Sequence, residues 1–147
     1  MKSSHAQVLS QCPQCVCFNL LKSARAITRF YDAALQPIGI QGTQFSLLAV
    51  LHHVGELPIT EIAEVLGVDR TTLTRNLKTL VGRGYVGVDQ GKDARTKSVK
   101  LTGAGRDILM KALPLWEQAQ QKVVDGLGPS RFKGLLKELA AIRALTR

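Results

Sequence analysis

Three cysteines lie within six residues near the start of the chain, and thiols are well suited to redox or soft-metal chemistry. They are Cys12, Cys15 and Cys17, with Pro13 after the first. Proline suits the first position of a helix because its missing N–H has no partner there. A helix opening at Pro13, capped by Cys12, would place partial positive charge near these sulfurs and favour their thiolate forms. The cluster therefore predicts a sensing site.

The residue types leave three interpretations of this cluster open. Thiols of this kind are oxidised to sulfenic acid or disulfide. The same three sulfurs are candidate metal ligands, either as a trigonal site for arsenite or, with His5, as a tetrahedral site for zinc. They can also be inert thiols that pack as small apolar side chains.

A second chemistry is carried by basic and hydroxyl side chains on a predicted helix that Asp69 would cap. Apolar residues recur there at i, i+4, i+7 and i+8, the spacing of one buried helical face. They are Leu73, Leu77, Leu80 and Val81. The side chains predicted to point outward are Arg70, Thr71, Thr72, Arg75 and Lys78.

A β-hairpin is predicted directly after this helix. Val86 and Val88 mark the outgoing strand, residues 90–94 the tip, and residues 96–101 the return strand, in which apolar and polar side chains alternate. Thr102 stands where the N-cap of the next helix belongs. A helix that fits a groove, followed by a hairpin with arginine at its tip, is typical of a DNA-binding protein.

The charges agree with nucleic acid as the partner. The chain of 147 residues has a net charge of +9, and residues 68–100 hold eight basic side chains against three acidic ones. Concentrated positive charge is the electrostatic footprint of DNA binding.

We predict a specific role for each of these residues in binding DNA. Thr71, Thr72 and Arg75 would meet base edges in the major groove, where arginine can donate two bonds to guanine. Phosphates would be held by Arg70, Lys78 and Lys97. Arg95 would enter the minor groove, and Asp93, which has the wrong sign to contact DNA, would hold Arg95.

The remaining segments read as helices around this unit. Residues 1–40 and 103–147 carry helical apolar faces that the small central unit, residues 41–102, cannot cover. Thr43, Thr60 and Ser130 are expected to cap helices, and Pro58–Ile59 to form a short edge strand. Gly67 and Gly84 are expected helix stops.

The spacing of Asp93, Arg95, Val99, Leu101, Thr102 and Gly105 resembles the wing signature of the MarR family of transcriptional regulators. The resemblance extends to residues 62–67, 70–77 and 84–86. It implies a mainly α (α+β) winged helix-turn-helix fold in one domain, residues 1–147, with N- and C-terminal dimerisation helices. It also implies a homodimeric repressor that reads a near-palindromic operator through recognition helices about 34 Å apart.

The cysteine placement is similar to the organic-hydroperoxide-sensing branch of that family. Cys17, Phe18, Tyr31 and Gln44 fall in register with it, although a tyrosine of that branch is replaced by Gly42. The resemblance implies that Cys17 reacts with peroxide and that Tyr31 bonds to it. Other members bind small aromatic anions between the dimer core and the DNA-reading lobe, so a small-molecule effector is an alternative to an oxidant or a metalloid.

Other classes of function are less well supported. Cys12-Pro-Gln-Cys15 superficially resembles the motif of thiol-disulfide oxidoreductases, but no strand precedes it, so an enzyme is not expected. A non-specific architectural DNA binder would leave the cysteines unexplained. No membrane-spanning segment or cofactor motif is visible, and we expect a soluble cytoplasmic protein without a cofactor.

Overall fold

The structure is a computed structural model that describes residues 4–90 and 97–146. Its first part contains helix α1 (His5–Leu9), a 3₁₀ turn (Cys12–Gln14), the long helix α2 (Val16–Leu35), a second 3₁₀ turn (Gln36–Ile38) and helix α3 (Gly42–Val54). Strand β1 (Leu57–Pro58), helices α4 (Ile59–Leu66) and α5 (Arg70–Gly82), and strands β2 (Val86–Gln90) and β3 (Lys97–Leu101) follow. Helices α6 (Gly103–Leu127) and α7 (Pro129–Leu145) complete the described chain.

The three strands form one antiparallel sheet in the order β1-β3-β2. Val99 pairs with Leu57 on one side and with Val88 on the other. It is fully buried, so the central strand is fixed to the core by its own side chain. The core joins α3, α4 and α5 to the sheet and to the first half of α6. Its largest fully buried side chains are Leu35, Leu47, Leu48, Leu51, Ile62, Leu73, Leu80 and Val99.

Two predicted helix caps are confirmed, at the starts of α5 and α6. The Asp69 carboxylate accepts the backbone N–H of Thr72 at 2.7 Å. The Thr102 hydroxyl accepts the N–H of Gly105 at 3.0 Å and donates to the carbonyl of Gly84 at 2.6 Å. Thr102 therefore ties the start of α6 to the end of the α5 segment.

Gly105 explains why the wing sequence needs a glycine at that position. A Cβ atom there would lie 1.9 Å from the Tyr85 carbonyl oxygen and 2.8 Å from a methyl group of Leu101. Helix α6 can approach the hairpin this closely only without a side chain at residue 105.

Three other predicted caps are each wrong by two residues. Helix α3 starts at Gly42, ahead of Thr43, and the buried Gln44 side chain accepts the Gln41 N–H at 3.0 Å. Thr60 and Ser130 each occupy the second position of their helices. In both, a proline at or just before the start presets a helix-compatible φ, so the helix begins earlier than the hydroxyl residue.

The start of α2 also differs from the prediction. Pro13 lies in the 3₁₀ turn, and α2 begins only at Val16, with Cys15 as its N-cap residue. Cys12 therefore caps no α-helix, and Cys17 lies in the first turn of α2. Strand β1 lies one residue earlier than expected, at Leu57–Pro58 rather than Pro58–Ile59.

Candidate nucleic-acid interface and thiol site

Helix α5 is held in a single orientation by its apolar face. Leu73 and Leu80 are fully buried, and Leu77 is nearly so. Val81 was assigned to the same face, but its side chain is 43% exposed, so that assignment is wrong. Because the apolar residues fix the rotation of the helix, the side chains opposite them are committed to solvent.

The outward surface of α5 is shallow, concave and basic. It is lined by Arg70, Thr71, Thr74, Arg75 and Lys78. Four of these residues were predicted; Thr74 was missed. Thr74 could have been found from its spacing, because it lies four residues after Arg70 and therefore on the same face of the helix. Its hydroxyl donates to the Arg70 carbonyl at 2.7 Å.

Thr72 lies at the edge of this surface rather than on it. Its side chain is half-buried, and its hydroxyl lies 3.1 Å from the second carboxylate oxygen of Asp69. The pKa of Asp69 is lowered, first because the carboxylate accepts the Thr72 backbone N–H and then because the Thr72 hydroxyl also donates to it. Both polar groups of Thr72 therefore serve the helix cap.

The hairpin that follows α5 carries further charge. Lys97 is exposed at the first position of β3. Lys100 and Asp89 form an ion pair across the two strands at 2.7 Å, and the hydrogen bond to Asp89 raises the pKa of Lys100. Asp93 and Arg95 lie outside the described residues, so their roles remain predictions.

Two hydrogen bonds connect helices α3 and α5 to the segment that precedes α3. The guanidinium of Arg83, just after α5, donates to the carbonyl of Gly39. Asp32 of α2 accepts the backbone N–H of Gly42 at 2.7 Å. The end of α5, the turn before α3 and the last part of α2 are thus linked by polar contacts.

The three cysteines are free and exposed. Among residues 4–90 and 97–146, no three His, Cys, Asp or Glu side chains are grouped so that they could hold a metal ion. The Asn19 side chain donates to the carbonyls of Pro13 at 2.8 Å and Cys15 at 2.9 Å. Asn19 was not anticipated, and it fixes the backbone that carries the first two thiols.

Within one chain, the structure does not bring Tyr31 to Cys17. Both residues lie on α2, fourteen positions apart, which is about 21 Å along a helix. The Tyr31 hydroxyl instead donates to the side-chain oxygen of Gln120 on α6 at 2.5 Å, and burial raises its pKa. A bond between Tyr31 and Cys17 would have to join two chains.

Tyr31 also borders a cavity of about 260 Å³ between α2, α3 and α6. Phe45 and Trp116 lie in its wall, with their rings stacked at a centroid distance of 5.5 Å. Aromatic walls with a few polar groups are typical of small-molecule sites.

The terminal helices present apolar side chains to the outside. On α2, Phe18 is 56% exposed and Leu21 is half exposed; on α7, no residue is buried. Apolar patches of this kind usually mark an interaction surface. Within the described part of the chain, no helix is long and apolar enough to cross a membrane.

The order of helices α3, α4 and α5 followed by the β2–β3 hairpin defines a winged helix-turn-helix protein. Comparison with known proteins identifies the family. A model of the MarR family matches residues 38–96. The chain belongs to the MarR family of DNA-binding transcriptional regulators, and its relatives and structural neighbours are regulators, not enzymes.

Three similar proteins illustrate the relationship. The transcriptional regulator MosR of M. tuberculosis, crystallised in complex with DNA, is 40% identical, covers 89% of this chain and 98% of its own, and has a TM-score of 0.78. YwoH of Bacillus subtilis, an uncharacterised HTH-type transcriptional regulator, is 38% identical over 55% of this chain and 59% of its own length. The multiple antibiotic resistance protein MarR of Salmonella typhimurium is 35% identical over 54% and 56%. The matches to YwoH and MarR thus span less than two thirds of those proteins.

Proposed function

We propose that the protein is a homodimeric repressor that binds a near-palindromic operator in the cytoplasm and is released when its N-terminal thiols are oxidised. The observation that carries the proposal is the outward surface of α5, which is basic and hydroxyl-bearing while its opposite face is locked in the core. Such a helix can enter the major groove without exposing apolar residues.

Within this proposal, the predicted roles are assigned to α5 and the wing. Arg75 and Thr71 read base edges, with Thr74 beside them, and Thr72 contributes through the cap at Asp69. Arg70, Lys78 and Lys97 hold phosphates, which sets the register of the helix on the duplex. Arg95 enters the minor groove and Asp93 holds it in place.

The dimer is supported by the exposed apolar side chains of the terminal helices. In this proposal, segments 1–40 and 103–147 join two copies, and segment 41–102 reads DNA. A twofold dimer presents two equivalent α5 helices, and an operator with twofold symmetry matches them. This arrangement would cover the apolar surface that a single chain leaves in water.

Thiol sensing is supported by the exposure of Cys12, Cys15 and Cys17 around the N-terminus of α2. Exposed thiols beside a helix start are accessible to oxidants, and Cys17 lies in the first turn of α2, the helix that would join the two protomers. Oxidation there would therefore change the surface between protomers and the spacing of the two α5 helices. In an interchain version, Tyr31 of one protomer would approach Cys17 of the other.

A second candidate effector is a small aromatic molecule. It is favoured by the cavity that Tyr31, Phe45 and Trp116 line, which lies between a terminal helix and the DNA-reading unit. A ligand in this cavity would act on the contact between the terminal helix and the DNA-reading unit, without any thiol chemistry.

The proposal is tested by selecting operators from random duplexes and then measuring binding by fluorescence anisotropy. We expect a symmetric site and a loss of about 1–3 kcal/mol in affinity with relaxed base preference for Arg75→Ala. Enrichment of no symmetric sequence would contradict it. Lys133→Ala, which changes an exposed lysine of α7, is the matched control.

The effector is tested on the same operator with cumene hydroperoxide, arsenite, zinc and salicylate. Release by the hydroperoxide alone, lost in a variant with all three cysteines changed to serine, is the expected result. Release by salicylate that survives in this variant would instead favour the aromatic ligand.

A further inference from the structure

The 3₁₀ turn at Cys12–Gln14 indicates how the thiols would react, an inference that rests on the proposed thiol sensing. We propose that Cys12 and Cys15 form a reversible intrachain disulfide across this turn, that Asn19 positions the pair, and that Cys17 stays outside it. The oxidant class is a hydroperoxide.

A hydrogen-bonded turn brings the backbones of the two cysteines close together. The Cys15 N–H donates to the Cys12 carbonyl at 3.0 Å, which closes one 3₁₀ turn. In a 3₁₀ turn, three residues make one full turn and rise about 6 Å, so the side chains at i and i+3 lie one above the other. A disulfide joins Cα atoms about 4.4–6.8 Å apart, and the ideal rise of about 6 Å lies within that range.

The other two pairings do not have this geometry. Cys15 and Cys17 are two residues apart at the start of a helix, where side chains two positions apart point in different directions. Joining them would require the first turn of α2 to unwind. Pairing Cys12 with Cys17 would require the turn that the Cys12–Cys15 hydrogen bond closes to be rebuilt.

Asn19 supplies the second, independent observation. Its side-chain amide donates to the carbonyls of Pro13 and Cys15, on the two sides of Gln14. These two bonds hold the turn to the first part of α2 while both thiols are still reduced. Pre-organisation of this kind raises the effective concentration of one thiol toward the other.

The chemistry balances with one hydroperoxide per disulfide. The thiolate of one cysteine attacks the peroxide oxygen, the O–O bond breaks, and an alcohol leaves after protonation. The thiol of the second cysteine then attacks the sulfenic sulfur, the S–S bond forms, and water leaves. Two thiols are oxidised and one peroxide is reduced, and a small dithiol reverses the step by exchange.

The full-length Cys17→Ser protein provides the direct test. One equivalent of cumene hydroperoxide should remove both remaining thiols and lower the monomer mass by two hydrogens, as measured by alkylation and mass spectrometry. Cys12→Ser and Cys15→Ser should form an intrachain disulfide at least roughly tenfold more slowly. Two thiols that stay free in Cys17→Ser, or wild-type protein that joins Cys17 to a neighbour, would overturn the proposal.

Asn19 is tested through the redox equilibrium of the Cys17→Ser protein in glutathione buffers. Asn19→Leu should reduce the equilibrium constant for disulfide formation by about fivefold, the effect of one ordinary net hydrogen bond. Gln11→Leu removes a nearby amide that makes no side-chain hydrogen bond among the described residues, and it should leave the constant unchanged. Equal constants for Asn19→Leu and Gln11→Leu would remove Asn19 from the proposal.

Operator affinity of the reduced variants is measured in parallel. Loss of DNA binding in reduced protein would count against the proposed function but not against the disulfide, which is observed on the protein alone. A disulfide that forms as expected without operator release would confine the failure to the sensing step.

Discussion

Helix α5 and the terminal helices α2 and α7 all carry large apolar side chains, but they place them differently. In α5 the apolar residues are buried inside the same chain, with Leu73 and Leu80 at 0% exposure. In α2 and α7 several of them are exposed, with Phe18 at 56% and Leu136 at 50%. Packing within one chain thus completes the DNA-reading unit, whereas the terminal helices keep exposed apolar side chains, the surface that the proposed dimer would cover.

The largest expected effect comes from charging the outward face of a terminal helix. Leu21→Glu should leave the protein folded but monomeric in sedimentation, because a carboxylate would be buried between the protomers. Operator affinity should fall by about a hundredfold or more, since two linked half-site contacts become one. Ser23→Glu adds the same charge at an exposed polar position and is the control. If Leu21→Glu remained a dimer with normal operator affinity, the contrast drawn between α5 and the terminal helices would be wrong.

The contact between helix α6 and the hairpin is tested at Gly105. Gly105→Ala should destabilise the protein by about 1–3 kcal/mol in urea unfolding, because its Cβ meets the Tyr85 carbonyl. Gly103→Ala lies two residues earlier in the same helix with nothing within 4 Å of the new Cβ, and it should be neutral or slightly stabilising. Equal stability of the two variants would show that α6 can move away from the hairpin.

A smaller effect is expected at Lys78 on the outward surface of α5. Lys78→Ala should weaken binding to all duplexes alike and reduce the slope of log affinity against log salt by about 1. The reason is that one phosphate contact, with its released counterion, is lost. A loss confined to particular sequences would instead place Lys78 on a base edge.

The smallest effect concerns the cap of α5. Because the pKa of Asp69 is lowered in the folded protein, its charged form stabilises the fold above the ordinary value of 3.8. That stabilisation is lost as the pH falls through the lowered pKa. The melting temperature of wild type should exceed that of Asp69→Asn by about a degree or two near neutral pH. The two curves should converge in acid, and a constant difference down to pH 2 would contradict the assignment.

The sequence predicted the parts of the fold that local patterns determine. Asp69 and Thr102 were correct caps because each hydroxyl or carboxylate directly precedes the apolar period of its helix. Thr60 and Ser130 looked equivalent, but neighbouring prolines start those helices earlier. Val81 has the right spacing for the buried face, yet the tertiary packing ends before it, which no period can show.

The candidate site was predicted less completely. The outward residues of α5 followed from helical spacing, although Thr74 was overlooked and Thr72 is engaged at the cap. Asn19 could not be found from sequence, because its two backbone partners become visible only when the turn is built. Tyr31 was linked to Cys17 by family resemblance, and a continuous α2 separates them within one chain.

The hydrogen bond from Arg83 to the Gly39 carbonyl ties one end of α5 to the turn before α3. The helix has 13 residues and is about 20 Å long, so Arg70 at its other end lies far from that contact. A rotation of roughly 10° about Arg83 would swing Arg70 and Thr71 by about 3 Å, a whole hydrogen-bond length. In the proposed complex, even a slight motion near Gly39 would thus suffice to part these side chains from the DNA.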